Sequence, residues 1–279
     1  LLRDGDADRL ERRHAQLVDE RDRQRHQEKD LALRIELVTV CVDYADFLEV
    51  TLPYMRRTAD DLVVVTSPDD RRTRELCKAR GIRAVVTTAM YDHGRKFSLG
   101  AAIDAGLRDL QLDEWVLVVD ADIVLPAWTR STLERLELDG RKLYGIDRVH
   151  CRGWHAWRRF CTTPRAVMQW EVPFLRDFPV NARMQYPSTR DVAGYFPCGY
   201  FQLWHPWVSE VENYPANAAG TAEGSDLEHA LRWPRRLREL IPDLVAIQLE
   251  TDQPEDPVGA NWAGRKTPEF SAEGGTYRK

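Results

Sequence analysis

From Leu33 onward the chain alternates short aliphatic and β-branched runs with longer amphipathic segments, and this alternation constrains its fold more than any other feature. "LRIELVTVCV" reads as a strand, "DFLEVTLPYMRRTA" as a helix and "DLVVVTS" as a second strand. "DRRTRELCKARG" follows as a helix closed by Gly81, then the strand "IRAVVTT", the loop "AMYDHGRK" and the helix "FSLGAAIDAGLRDL". A fourth apolar run, Trp115 to Val119, completes a β-α-β-α-β-α-β order. Strands separated by helices of this length pair in parallel, with helices on both faces of the sheet. Ligands of such sheets collect beyond the C-terminal ends of the strands.

At that end of the fourth run stands "DEWVLVVDADIVLP", in which Asp120 and Asp122 interrupt an otherwise apolar segment. Two carboxylates one residue apart repel each other and lose hydration, so they need a cation, a set of backbone donors or a turn that exposes them. A simple capping turn satisfies the same pattern. No GxGxxG follows the first strand and no GxxxxGK[ST] occurs in the chain, which removes the main support for a dehydrogenase or a P-loop enzyme. A carboxylate pair in a sheet without phosphate-cradling glycines points to a metal that holds phosphates, and hard oxygen ligands suit Mg²⁺ or Mn²⁺.

Composition limits the class. With 43% hydrophobic and 30% charged residues and no apolar run of membrane-spanning length, the 279 residues read as a globular α/β protein without a membrane span. A formal charge of -5 gives no global reason for nucleic-acid binding. Cys41, Cys77, Cys151, Cys161 and Cys198 are scattered and contain no CxxC pair, the pattern of reduced thiols in a cytoplasmic protein. No basic-then-apolar leader opens the chain, and it lacks an initiating Met, as a trimmed or excised segment would.

Residues 1–32 differ from the rest: they are dominated by charge, with too thin an apolar stripe for a coiled coil, and predict a solvated helical extension from about Asp8 to Lys29. Asp4, Asp6 and Asp8 lack the Gly and distal Glu of a calcium loop. Residues 33–279 are expected to form a single domain.

The segments "VTVCV" with Asp43, "VVVTSPDD", "KFSLGAAIDAGL" and "WVLVVDADIVLP" occur in the order of, and together resemble, the nucleotide-sugar half of GT-A glycosyltransferases of the family 2 type. Farther on, "LYGIDRVHCRGWHAW", "GYFQLWHP", "GTAEGSDLEHALRWPRR" and "GANWAGRKTPEF" resemble a narrower group of compact phage and bacterial glycosyltransferases. The resemblance implies a Rossmann-like, mostly parallel GT-A sheet, with residues 33–126 as the nucleotide-sugar half and 127–279 as the acceptor half. It also implies a metal-dependent, inverting hexosyl- or pentosyltransferase that uses a nucleoside diphosphate sugar.

Within that resemblance Asp120 and Asp122 bind the divalent cation on the donor diphosphate, and Gln248 of "LVAIQLETD" stands where the family commonly offers a His as third ligand. An amide oxygen coordinates a hard cation less strongly than a charged group or an imidazole, so a weak third ligand and an ordinary strand residue are both readings of Gln248. Asp226, opening "DLEHALRW", matches the base that deprotonates the acceptor hydroxyl; a helix cap is the alternative, and Glu223 and Glu228 are its neighbours. Asp43 and Tyr44 are candidates for the donor base by hydrogen bond and stacking, with turn chemistry as the alternative, and Asp69 is a comparable candidate. Lys96 is preferred over Arg95 as a cation on the diphosphate, and His93 reads as a loop residue.

In "DRVHCRGWHAWRRF", Arg148, Arg152, Arg158 and Arg159 interleave with Trp154, Trp157 and Phe160; Arg148 is assigned to the donor side. Aromatic faces with guanidiniums suit a sugar ring or a splayed base, and an amphipathic surface over buried tryptophans gives the same pattern. The acceptor candidates are a hydroxymethylated pyrimidine in DNA and a glycan or lipid-linked sugar. A nucleotidyltransferase also places paired carboxylates at a sheet edge, but "DYADFLE" stands where its basic Gly-rich loop belongs. A non-catalytic sugar-nucleotide or nucleic-acid binding module needs no Asp226.

Overall fold

The computed structural model describes residues 33–162, 195–216, 224–251 and 269–271. The expected extension over residues 1–32 and Glu223 lie outside the described residues. The first half follows the expected order: β1 (Ile35–Val40), α1 (Ala45–Thr58), β2 (Asp61–Thr66), α2 (Arg71–Arg80), β3 (Arg83–Val86), a 3-10 segment (Ala89–Gly94), α3 (Leu99–Leu107) and β4 (Trp115–Val118). The second half adds β5 (Ile123–Val124), α4 (Thr129–Arg135), β6 (Leu143–Arg152), α5 (Trp154–Thr162), β7 (Gln202–Trp204), α6 (Pro206–Ser209), α7 (Ser225–Ala230) and β8 (Arg238–Glu250).

These strands form one sheet in the order β3-β2-β1-β4-β7-β6-β8-β5. β1 to β4 are mutually parallel, β6 and β8 pair in parallel, and β7 and β5 run against their neighbours. The mostly parallel α/β sheet is therefore as expected, extended by a mixed second half. Because β2 and β3 lie to one side of β1 and β4 to the other, right-handed crossovers put α1 and α2 on one face and α3 on the opposite one. The reversal of strand order between β1 and β4 is a topological switch point, the place where such sheets open a crevice.

The sheet must also curl. Only residues 119–122 separate β4 from β5, yet β5 lies at the far edge, four strand positions away. Four steps at about 4.8 Å span about 19 Å, while five extended residue steps reach about 17 Å. A turn with Ile123 N–H donating to the Asp120 carbonyl (3.1 Å) shortens that connection further. The far edge is thereby folded back to the end of β4, and the two aspartates stand at the junction.

Local chemistry fixes the elements that border this junction. Asp70 caps α2 by accepting from Thr73 N–H (3.0 Å), and its other oxygen accepts from Asp43 N–H (2.8 Å), so one buried carboxylate holds the ends of β1 and β2 together. Gly81 closes α2 in the left-handed region (φ 65°), as expected of a C-terminal glycine. α3 is capped by Ser98 and packs tightly on the sheet through Gly106, where a Cβ would lie 2.6 Å from Val65 and 2.7 Å from Val38 side-chain atoms. No described helix is long and apolar enough to cross a membrane.

Candidate functional site

The polar wall of the crevice comes from a period-two pattern in β6 and β8. Val149, Cys151, Ile247 and Leu249 pack into a core with Phe47, Val124, Trp157, Phe160 and Phe270. The alternate residues Arg148, His150 and Arg152 therefore share the other face, paired in register with Ala246, Gln248 and Glu250. Ile123 pairs with Gln248 from the far side, and Leu249 N–H donates to the Asp122 carbonyl (2.9 Å). Gln248 Nε2 then donates to Asp122 Oδ2 (3.2 Å).

Asp120 and Asp122 are half-buried in this wall. Loss of hydration, then the charges of Asp122 and Asp226, push the Asp120 carboxyl up to about 7, against the partial offset of Arg148. Burial likewise raises Asp122, opposed by its hydrogen bond from Gln248 and by Arg148. Asp122, Asp226 and Arg148 thus all lie within electrostatic reach of Asp120, with Gln248 in direct contact with Asp122. The guanidinium of Arg148 lies 4.3 Å from the centroid of the buried Tyr200 ring, which leaves its edge donors for other partners.

The opposing side is the turn that precedes β7. Asp226, half-buried at the start of α7, accepts from Gly199 N–H at Oδ2 (3.0 Å) and from Leu227 N–H at Oδ1 (2.9 Å). A Cβ on Gly199 would approach the Asp226 Cβ to 3.2 Å, so the close contact suits glycine. "CGYFQLWHP" is a turn leading into β7, with its glycine against Asp226 and its tyrosine beneath Arg148.

A second group gathers at the ends of β1 and β2. Asp43 adopts a left-handed backbone (φ 60°), which Asp tolerates better than most residues. Asp43, Asp69 and Asp70 all raise the Tyr91 phenol, after burial as the main cause, while a bond to Ser67 lowers it. Tyr44 is half-buried with its ring 5.3 Å from that of Phe47, and Asp69 is exposed. Lys96 is exposed on the segment before α3, whose buried first turn meets the Pro215 carbonyl: a Cβ on Gly100 would fall 1.8 Å from that oxygen.

The tryptophans of α5 face inward. Trp157 is buried and stacked on Phe160 (5.3 Å), and Trp154 packs edge-on against Phe270 (5.5 Å), while Arg158 remains exposed. Trp157 and Phe160 are thus spent on the core, and the half-buried Trp154 rests against it.

Two side chains that the sequence did not single out, His150 and Glu250, complete the wall together with Arg152. Glu250 accepts from Arg152 Nε (2.8 Å) and bonds His150 Nδ1 (2.6 Å). Burial would raise its carboxyl, but the bonds from His150 and Arg152 overcome this and hold it at about 2. An ionised Glu250 only accepts, so His150 must donate from Nδ1. The signal was the alternation in "RVHCR", legible only once β8 is known to pair with it.

Among the described residues no three His, Cys, Asp or Glu side chains cluster closely enough to hold a metal alone. The donor set is two carboxylates and an amide. Gln248 Oε1 is buried without a hydrogen-bond partner, a state that a polar interior rarely tolerates. Two carboxylate ligands and a neutral oxygen fit a hard divalent cation whose remaining positions are filled by phosphate oxygens and water.

No protein-family profile matches the chain, and no curated protein matches it. Among solved structures it is similar to glucosyl-3-phosphoglycerate synthase from Mycobacterium tuberculosis in complex with Mn²⁺ and uridine-diphosphate-glucose, at 15% identity over 81% of this chain and 73% of that one, with a TM-score of 0.46. A mycobacterial protein gives 16% identity over 82% and 70%, with a TM-score of 0.44. Another structure of the synthase, with phosphoglyceric acid also bound, matches at 21% identity over 42% of this chain and 44% of that one, with a TM-score of 0.31; the match thus spans less than half of that chain.

Proposed function

We propose that the chain is a metal-dependent, inverting GT-A glycosyltransferase that moves a sugar, hexosyl or pentosyl, from a nucleoside diphosphate to an acceptor hydroxyl. The observation that carries the reading is the Asp120–Asp122 pair, stripped of water at the strand end, with Asp226 within electrostatic reach of Asp120 and the orphaned amide oxygen of Gln248 beside Asp122. Asp120, Asp122 and Gln248 Oε1 are the residues that would hold Mn²⁺ or Mg²⁺, which supplies charge neutralisation to a leaving diphosphate.

The chain's own residues do the rest. Arg148, preset on the Tyr200 ring, directs its guanidinium donors to the same anionic group. Asp43, Tyr44 and Asp69, at the ends of β1 and β2, are assigned to the donor base, and Lys96, exposed on the segment before α3, to the diphosphate. Asp226 takes the acceptor proton at a carboxylate oxygen as the new C–O bond forms and the bond to the diphosphate breaks on the opposite side of the anomeric carbon. Its Gly199 and Leu227 bonds hold the carboxylate in one orientation.

With Trp157 in the core and Trp154 half-buried against Phe270, a glycan or another hydroxylated small molecule suits the acceptor side better than a hydroxymethylated pyrimidine in DNA. The deciding experiment incubates the protein with a panel of nucleoside diphosphate sugars and Mn²⁺ and follows nucleoside diphosphate release with glycan, lipid-linked and hydroxymethylated DNA acceptors. Release that requires metal, slow with water alone and accelerated by the matching acceptor, is expected. In parallel, Asp122→Ala should abolish Mn²⁺-dependent donor binding in calorimetry; undiminished binding would remove the metal assignment.

A further inference from the structure

Beneath the Gly199 turn lies a buried polar unit that the chemistry above does not use. Gln202 and Tyr214 are 0% and 3% exposed. Gln202 is paired with Val118, the last residue of β4, and so stands directly under the junction that bears Asp120. Its Nε2 donates to the Pro197 carbonyl (2.7 Å) and to the Asp226 carbonyl (3.1 Å), and its Oε1 accepts from the Tyr214 hydroxyl (2.6 Å). Two carbonyls demand the amide's two N–H groups, and a phenol facing its oxygen completes the set; the amide has one orientation only.

α7 grips the same unit a second time. His229, three residues after Asp226 and fully buried, stacks on the Tyr214 ring (4.2 Å, 18°). Tyr214 N–H is anchored to Asp104 Oδ1 of α3 (3.2 Å). The start of α7 and the 197–199 turn, which face each other through the Asp226–Gly199 bond, are thus also joined from below through a single side chain. Apolar residues would fill this volume at lower desolvation cost, so a fully satisfied polar bridge at this place is there for geometry.

We propose that Gln202, locked by Tyr214, is a positioning residue for Asp226: it sets the distance and angle between the Asp226 carboxylate and the Gly199 turn. The proposal rests on Asp226 being the base, and the two are separable by experiment. Tyr214→Phe removes only the hydroxyl that orients the amide; Gln202→Glu keeps the acceptor for Tyr214 and removes the two donors. Amide hydrogen exchange in the free protein reads the geometry without any substrate. Each variant should exchange Gly199 N–H faster by about fivefold or more, the worth of one weakened hydrogen bond, while the amides of β1 and β2 keep their wild-type rates.

Turnover of UDP-glucose and GDP-mannose with Mn²⁺, water serving as acceptor, reads the consequence. The rate constant should fall about 10- to 100-fold, as for a slightly misplaced catalytic group, with the donor KM unchanged. In an Asp226→Asn background, Tyr214→Phe should add little further loss, because its effect acts through that carboxylate. Unchanged Gly199 exchange in both variants would overturn the proposal. So would a loss of turnover that is undiminished in the Asp226→Asn background, since it would mark a general structural role. Normal turnover in Asp226→Asn alone would instead overturn the base reading and the catalytic half of this one with it, whereas loss in Asp226→Asn with wild-type exchange and turnover in Tyr214→Phe and Gln202→Glu removes only the positioning role.

Discussion

At the scale of single residues the site is governed by what burial does to charge. Asp226 is not the cap that its sequence position also allowed, since Gly224 stands at the N-cap; it accepts two backbone N–H bonds from within the first turn, and Asn preserves its shape while accepting at one oxygen only. A base contributes about 10²- to 10⁴-fold to rate, so Asp226→Asn should cut acceptor-dependent turnover by about that factor with the donor Kd barely moved. Steady-state kinetics and calorimetry on the same preparation check it, and normal turnover would pass the role to Glu228 or Glu223. Gln248 offers a second test, because its buried Oε1 has no partner while its Nε2 serves Asp122. An imidazole is the stronger ligand for a transition ion, so Gln248→His should lower the Mn²⁺ concentration at half-maximal donor binding. An unmoved Mn²⁺ titration would take Gln248 out of the coordination sphere.

At the scale of elements, α3 matters because it closes the sheet from the face opposite α1 and α2. It sits close because Gly106 offers no side chain to Val38 and Val65. Gly106→Ala gains helix propensity of about 1 kcal/mol but forces a methyl to within 2.6 Å of Val65, an overpacking that costs about 1–3 kcal/mol. A net loss of stability in chemical denaturation is expected, with the slope of the transition unchanged; a gain would mean that α3 shifts freely on the sheet. β6 and β8 show the complementary case, where one face is core and the other is the site. Their "RVHCR" and "AIQLE" segments alternate cleanly, and the polar set Arg148, His150, Arg152, Gln248 and Glu250 follows from the core set.

For the whole molecule, the site stores electrostatic strain that pH and metal ought to reveal. Asp120 keeps its proton up to about 7 in the folded protein, against 3.8 for an ordinary Asp. The folded state therefore holds more protons than the unfolded chain between these values, and metal-free stability should decline as pH rises through that window. Glu250 works in the opposite sense: held at about 2 against 4.5, it stabilises fully above 4.5 and loses that contribution as pH falls toward 2. Thermal unfolding in chelator across pH 4 to 7 should show the decline in wild type, a flatter profile in Asp120→Asn, and its removal from wild type by added Mn²⁺. Equal slopes in the two proteins would dissociate the carboxylate pair from the predicted strain.

The sequence by itself determined the parallel half. Period and punctuation suffice there: β-branched runs, the Ser98 cap and Gly81 are local signals for local structure, and they place Asp120 and Asp122 at a strand end without knowledge of any partner strand. Asp226 and Gln248 were marked by the family resemblance, and Arg148 by its place in the Arg- and Trp-rich segment. Only the tertiary structure decided that these belong to one crevice, because β7 inserts beside β4 from more than eighty residues away and the curl of the sheet brings β5 and β8 back to the aspartates. The same long-range pairings chose, of the two readings of α5, the one with Trp157 buried, and produced what no local pattern announces: the His150–Glu250–Arg152 wall and the Gln202–Tyr214 bridge under Asp226. Each depends on which strand lies next to which, and strand neighbours are chosen by the burial of whole faces, a property of the assembled sheet and not of any one segment.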